Sequence, residues 1–167
     1  MRPPFPWSIH MNSFPAAVIA IIPVALAATL GHLATRLKIG SWYAGLTKPW
    51  FNPPNAVFGP VWSLLYAMMA YSFFRILTPT PGPWTATAIA LFLLQIALNA
   101  GWSFAFFAGE SPKGGLLVIV ALWCGIVLTA FAFWQIDRPA SLLLWPYLAW
   151  VSFAAALNRS IAVLNPE

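Results

Sequence analysis

The chain has 167 residues, of which 61% are hydrophobic, 16% aromatic and only 7% charged, with a net charge of +5. A soluble domain holds about a quarter of its residues as Asp, Glu, Lys or Arg to keep its surface in water, so this composition excludes a soluble globule, and its high hydrophobicity and low charge exclude a disordered chain. The eight Lys and Arg residues are scattered singly, which leaves no basic stripe for a phosphate backbone and excludes nucleic acid as a partner; the chain belongs in a lipid bilayer.

Residues 1–13 read as a disordered leader, with Met11 as a second candidate start. Arg2, the apolar run that follows and Ala25-Leu26-Ala27 imitate a signal peptide with its cleavage site. The run, however, continues through Ala28, Leu30 and Leu33, past the roughly 7 to 15 residues of a signal core. A crossing helix needs about 20 mostly apolar residues, and five runs reach that length: 14–35, 56–77, 84–108, 115–136 and 140–164. The fold class is therefore an all-α membrane protein, a single five-helix bundle over 14–164. Pro23 and Pro146 fall inside spans, where neighbouring helices satisfy the freed carbonyls. Cys124, the single cysteine, reads as a small buried hydrophobe.

The connections are unequal. Three are short enough for tight helix hairpins, whereas the first, 36–55, holds Trp42, Tyr43, Trp50, Phe51, Pro49, Pro53 and Pro54. Loops beyond about 12 to 15 residues are functional or disordered, and this aromatic content is unlike a solvated linker, so the loop is expected to lie as a lid over one end of the bundle. Five spans place the termini on opposite sides. The side with the first loop, the third loop and the C-terminus carries Arg36, Lys38, Lys48, Lys113 and Arg159, against Arg2, Arg75 and Arg138 on the other. The positive-inside bias then puts the N-terminus outside and the C-terminus in the cytoplasm. The halves show no inverted repeat, which disfavours an alternating-access carrier.

Polar side chains within spans mark functional faces. In the third span Gln95, Asn99 and Trp102 share one helical face. About 200° round runs a ladder of Ala97, Gly101, Ala105 and Gly109, which lets helices approach closely and fits either internal packing or a homodimer seam. In the second span Trp62, Tyr66, Met69 and Phe73 form a stripe, and in the fifth Tyr147, Trp150, Ala154 and Asn158 share a face. Trp84 and Trp134, at span ends, read as interfacial anchors. Trp62 and Trp150 lie further in, where their rings would suit a flat apolar ligand with polar edges. The carboxylates Glu110, Asp137 and Glu167 all lie in loops or at the terminus, so no buried acid pair is available for acid–base work. His10 and His32 lack a second ligand at helical spacing, so no metal site is expected, and there is no phosphate-binding glycine loop.

Four blocks, in order, resemble one family: Trp42-Tyr43-x-x-Leu46-x-Lys48-Pro49 followed by Asn52-Pro53-Pro54; Pro60-x-Trp62-x-x-Leu65-Tyr66; Gln95-x-x-Leu98-Asn99-x-x-Trp102; and Pro146-Tyr147-Leu148-x-Trp150-x-x-Phe153-Ala154-x-x-Leu157-Asn158. The chain resembles the TspO/MBR family, which comprises bacterial tryptophan-rich sensory proteins and the mitochondrial translocator protein, or peripheral benzodiazepine receptor. The resemblance implies a homodimeric five-helix bundle with a ligand cavity under the first loop, no built-in cofactor, and porphyrins such as protoporphyrin IX or haem, sterols or benzodiazepine-type drugs as ligands. By motif position it assigns Tyr43, Trp62, Gln95, Asn99, Trp150 and Ala154 to the ligand, which would sit between Trp62, Gln95, Asn99 and Trp150; Trp102 and Tyr147, on the same helical faces, are expected to join them. Taken with the ladder, that dimer would have its seam at Ala97, Gly101 and Ala105. The leading expectation is a tetrapyrrole receptor or sensor. One alternative is an enzyme that degrades porphyrin with light and oxygen through Trp62 and Trp150; another is a porphyrin or sterol transporter. Vertebrate members carry a C-terminal cholesterol motif of Leu or Val, then Tyr, then Lys or Arg. Here Leu157-Asn158-Arg159 lacks the tyrosine, which weighs against cholesterol and favours a bacterial inner membrane.

Overall fold

The computed structural model describes residues 12–166. The expected leader, Met11 and His10 therefore lie outside the described residues, apart from Asn12 and Ser13. Among the described residues seven α-helices follow one another: α1 (Ser13–Arg36), α2 (Trp42–Gly45), α3 (Asn55–Leu77), α4 (Thr85–Ser103), α5 (Pro112–Trp134), α6 (Arg138–Leu142) and α7 (Trp145–Leu164). Among the described residues there is no strand. Five stretches are long and apolar enough to cross a membrane: α1, α3, α4 with its continuation to Ala108, α5, and α6 with α7.

Two boundaries depart from the sequence expectation for local reasons. The fourth span begins at Pro112 rather than Gly115, because the Ser111 hydroxyl accepts from the Gly114 amide and Pro112 takes the first helical position, where its missing N–H costs nothing. The fifth span is broken: Asp137 caps α6 by accepting from the Ala140 amide at 2.8 Å, and the chain turns through Leu143 and Leu144 before Pro146 opens the first turn of α7.

Packing in α1 follows residue size. Its buried positions are Ala16, Ala20, Val24, Ala27, Gly31 and Ala34, all small, while Ile21, Ile22, Leu26, Leu30 and Leu33 face outward. Small residues let backbones approach where lipid competes equally for large apolar side chains, and α1 accordingly packs on both α3 and α4. The same rule seats α5: Gly125 receives the Cβ of Gln95, and Gly115 receives Phe106 and Asn158. Cys124 is exposed on the outer face of α5 instead of buried, since a lipid-facing position accepts a small apolar side chain as readily as a core does.

The half of the bundle remote from the first loop holds the packed aromatic core. Phe73 stacks on Phe92 with centroids 4.1 Å apart, Phe92 stacks on Phe133, and Met69 and Tyr147 are fully buried. At its margin Arg75 donates to both carboxylate oxygens of Asp137 at 3.3 and 2.8 Å, and Ser72 donates to the Ala140 carbonyl, tying α3 to α6. Partial burial pushes the Asp137 carboxyl up, but the Arg75 and Ala140 hydrogen bonds prevail and hold it below the ordinary range. Its contribution to stability is therefore complete above the usual carboxylate range and is lost only as pH falls through the lowered value.

Candidate functional site

The other half, beneath the first loop, is hollow. The third span does not end as a regular α-helix: residues Phe104–Ala108 form a π turn, closed by a 2.7 Å bond from the Gly109 amide to the Phe104 carbonyl. Wider turns of this kind are frequent at functional sites. Here the turn brings Phe106 and Phe107 to the inside, both nearly fully buried. A side chain at Gly109 would meet the Ala105 carbonyl at 2.9 Å. Glu110 then takes a left-handed backbone conformation at φ 51°, a strained choice for a residue with a side chain, and its carboxylate pairs with Lys38 of the first loop.

That loop is the lid. Its side chains Ile39, Trp42, Tyr43, Leu46 and Phe51 pack with Phe106, Phe107, Phe153, Leu157 and Ile161 in a cluster of their own. Trp42 stands edge-on to Phe106 at 5.4 Å and Tyr43 is tilted against Phe107 at 5.5 Å. Tyr43 donates to Asn52 across the loop at 3.0 Å, and Lys48 lies 4.6 Å from the Tyr43 ring centroid. Burial raises the Tyr43 hydroxyl above its ordinary pKa, partly offset by the Asn52 bond, so it stays a neutral donor at physiological pH. Asn165, just past α7, fastens the lid from outside by bonding both the amide and the carbonyl of Thr47 at 2.9 Å. Trp50 is 96% exposed, the position of an interfacial anchor.

Under the lid lies a cavity of about 420 Å³. Its walls come from α1 (Gly31, His32, Thr35), the lid (Ile39, Tyr43), α3 (Phe58, Trp62, Tyr66), α4 with its π turn (Asn99, Trp102, Ser103, Phe106, Phe107) and α7 (Ala154, Leu157, Asn158, Ile161). Two asparagines knit these walls. The Asn99 carbonyl oxygen accepts from Tyr66 and its amide donates to Tyr147, both at 2.9 Å, joining α3, α4 and α7. Asn158 accepts from the Trp102 indole at 3.0 Å and donates to the Pro112 carbonyl at 2.7 Å, joining α4, α5 and α7.

Of the residues assigned from sequence, Tyr43, Trp62, Asn99, Trp102 and Ala154 meet around this cavity. Gln95, Tyr147 and Trp150 do not line it. Gln95, 1% exposed, sits one turn below Asn99 against Gly125, with both amide atoms unpartnered. Tyr147 lies behind Asn99 as its hydrogen-bond partner, edge-on to Trp62. Trp150 stands behind Phe58, centroids 5.8 Å apart, its indole N–H buried and unpartnered. The ladder faces away from the cavity, with Ala97 exposed and Gly101 and Ala105 half-buried. Sequence reasoning missed the α1 wall and the π-turn phenylalanines. Gly31 and His32 side by side, with Thr35 one turn on, in an otherwise largely aliphatic span were the available signal for the first.

Chemically the walls are aromatic and uncharged, with amide, hydroxyl, imidazole and indole groups at intervals. Among the described residues no Asp, Glu, Lys or Arg lines the cavity, and no group of three His, Cys, Asp or Glu is placed to hold a metal. Such walls offer ring faces and neutral hydrogen-bonding groups to whatever occupies the cavity.

A five-span membrane bundle with a lidded aromatic cavity is the class of protein that the fold and site define. The TspO/MBR family model matches residues 19–164. The tryptophan-rich protein TspO of Chlorobaculum tepidum is 48% identical over 131 residues, covering 77% of this chain and 83% of that protein. TspO of Archaeoglobus fulgidus is 38% identical over 90% of this chain and 95% of its own length. The translocator protein of Sus scrofa is 38% identical over 78% of this chain and 80% of its own. The chain belongs to the TspO/MBR family and is an integral membrane protein.

Proposed function

We propose that this protein is a tetrapyrrole receptor or sensor that holds a porphyrin in the lidded cavity. The observation that carries this reading is the pairing of an uncharged aromatic chamber with a cationic bundle end. Trp62, Trp102, Phe58 and Phe106 offer faces to a conjugated ring, and at the same end Arg36, Lys38, Lys48, Lys113 and Arg159 outnumber Glu110 among the described residues. A porphyrin needs both, because its ring seeks aromatic surface while its propionates seek positive charge. In the same reading the cationic end faces the cytoplasm of a bacterial inner membrane, with the N-terminus outside. The degradation alternative draws on Trp62 and Trp150 together; only Trp62 reaches the wall, so the geometry favours reception.

The test is a dark titration with protoporphyrin IX in nanodiscs, read by tryptophan quenching and the Soret band, with empty nanodiscs as baseline. Saturable binding is expected, and Trp62→Ala should weaken it by about tenfold or more, as loss of a central aromatic anchor does. Binding no greater than partition into empty discs, or a Trp62→Ala protein that is folded and unimpaired, would reject the reading.

The outward ladder on α4 supports a second proposal, a homodimer. A Cβ at Gly101 would meet only Val118, at 4.0 Å, so this surface has room for another helix. Gly101→Leu is expected to convert dimer to monomer in mild detergent, measured by light scattering; a dimer that persists would place the seam elsewhere.

A further inference from the structure

The exposed part of the cavity lining does not lie on the lid. Its exposed lining residues occur on two helices only, His32 on α1 and Asn55, Gly59 and Ser63 on α3, whereas the α4 and α7 walls are buried or half-buried. Asn55, Gly59 and Ser63 recur every fourth residue, and Ala28, His32 and Thr35 are spaced by four and three, so each set is a single stripe along its helix. α1 packs on α3, and at the lid-side end of that seam the two stripes stand on either side of it, their small side chains leaving a gap.

Their chemistry differs from that of the surface around them. The neighbouring outward positions are Leu26, Leu30, Leu33, Val57 and Leu64, as lipid contact demands. The stripes hold nothing apolar larger than alanine, and a Cβ at Gly59 would have open space for 4 Å around it. Polar side chains at a lipid-facing surface cost free energy unless they border a cavity or a pathway. The lid end, by contrast, is fastened by the Asn165 bonds to Thr47, the Lys38–Glu110 pair and the Tyr43–Asn52 bond.

We propose that this gap is a lateral entrance, through which a flat amphiphilic ligand passes between the bilayer and the cavity while the lid stays shut. The small side chains give it width. His32, Thr35, Asn55 and Ser63 give the polar edges of the ligand partners in transit, and none of the lid's fastenings has to break. The identity of the ligand rests on the porphyrin reading above; the route does not.

Two measurements test it, both in a Cys124→Ala background. In the first, Gly59→Cys is purified folded in nanodiscs, and protoporphyrin IX entry and exit are timed by tryptophan quenching before and after capping with a bulky maleimide. A plug in a pathway raises the barrier to passage in both directions, so capping should slow entry and exit together by about tenfold. Asn165→Ala, which loosens the lid, should leave both rates within about twofold. Capping that leaves the rates unchanged, capping that hastens exit by crowding the site, or an Asn165→Ala protein that takes up porphyrin faster would overturn the entrance. The second measurement needs no porphyrin. Ser103→Cys, in the cavity wall, should react with a lipid-dissolved pyrene maleimide faster than with a sulfonated water-soluble one, and Gly59→Trp should slow that reaction. Preference for the water-soluble reagent, or indifference to Gly59→Trp, would place the entrance at the lid. Absence of saturable porphyrin binding would reject the ligand while this second measurement still decides the route.

Discussion

Asn99→Leu is expected to destabilise the bundle by about 1 to 3 kcal/mol, the cost of leaving a buried polar group unpaired. A typical hydrogen bond between membrane helices is worth only about 0.6 kcal/mol, because the separated helices find other partners. Asn99 is different in what it leaves behind. Its amide is the partner of the Tyr147 hydroxyl, which is 0% exposed, and its carbonyl is the partner of Tyr66, which borders the cavity. Once Asn99 is gone Tyr66 can turn to water in the cavity, whereas Tyr147 has nowhere to turn, so most of the loss belongs to Tyr147. Asn99→Leu/Tyr147→Phe should therefore regain most of the stability, since removing both partners of a buried pair costs far less than removing one. Unfolding in mixed micelles of increasing SDS content measures this. A double variant no more stable than Asn99→Leu would mean that Asn99 acts through packing volume alone.

The same residue shows how far a linear sequence reaches. Asn99, Trp102, Trp62 and Ala154 are legible because a polar or aromatic side chain in a membrane span has few reasons to be there, and helical spacing groups such residues by face. Gln95 satisfies the same criterion and yet lies outside the cavity. One turn earlier, α4 has left the chamber and packs on α5, where Gly125 provides the notch that takes the Gln95 Cβ. That notch belongs to a pair of helices, and spacing within one helix does not reveal it. Burial was harder to read than position for a related reason. In water the large apolar residues go inside, whereas in lipid both faces are apolar and the interior is marked by small size. Ala16, Ala20 and Gly31 are thus core while Leu26 and Leu30 face lipid, and Cys124 sits among the outward residues. The π turn at Phe104–Ala108 carries the weakest signal of all, since what produces it is the fit of Phe106 and Phe107 beneath Trp42 and Tyr43, a contact between segments some sixty residues apart.

Ala154→Leu should separate binding from stability by moving them in opposite directions. Ala154 lines the cavity on α7 and is half-buried, one turn beyond Trp150. A leucine there extends into empty volume, so it gains apolar burial at about 0.8 kcal/mol per buried CH₂ without the displaced neighbours that make overpacking unfavourable elsewhere. The melting temperature is expected to hold or rise by a few degrees. A porphyrin loses the space that the leucine takes, and its dissociation constant is expected to rise about tenfold or more, because a filled pocket rejects a rigid ring that has no smaller conformation. Small flat probes should be affected less than porphyrin, which distinguishes steric filling from a general disturbance of the site. A protein that loses stability and keeps its porphyrin affinity would show that this face of α7 packs against protein, and that the ligand lies nearer to α1 and α3.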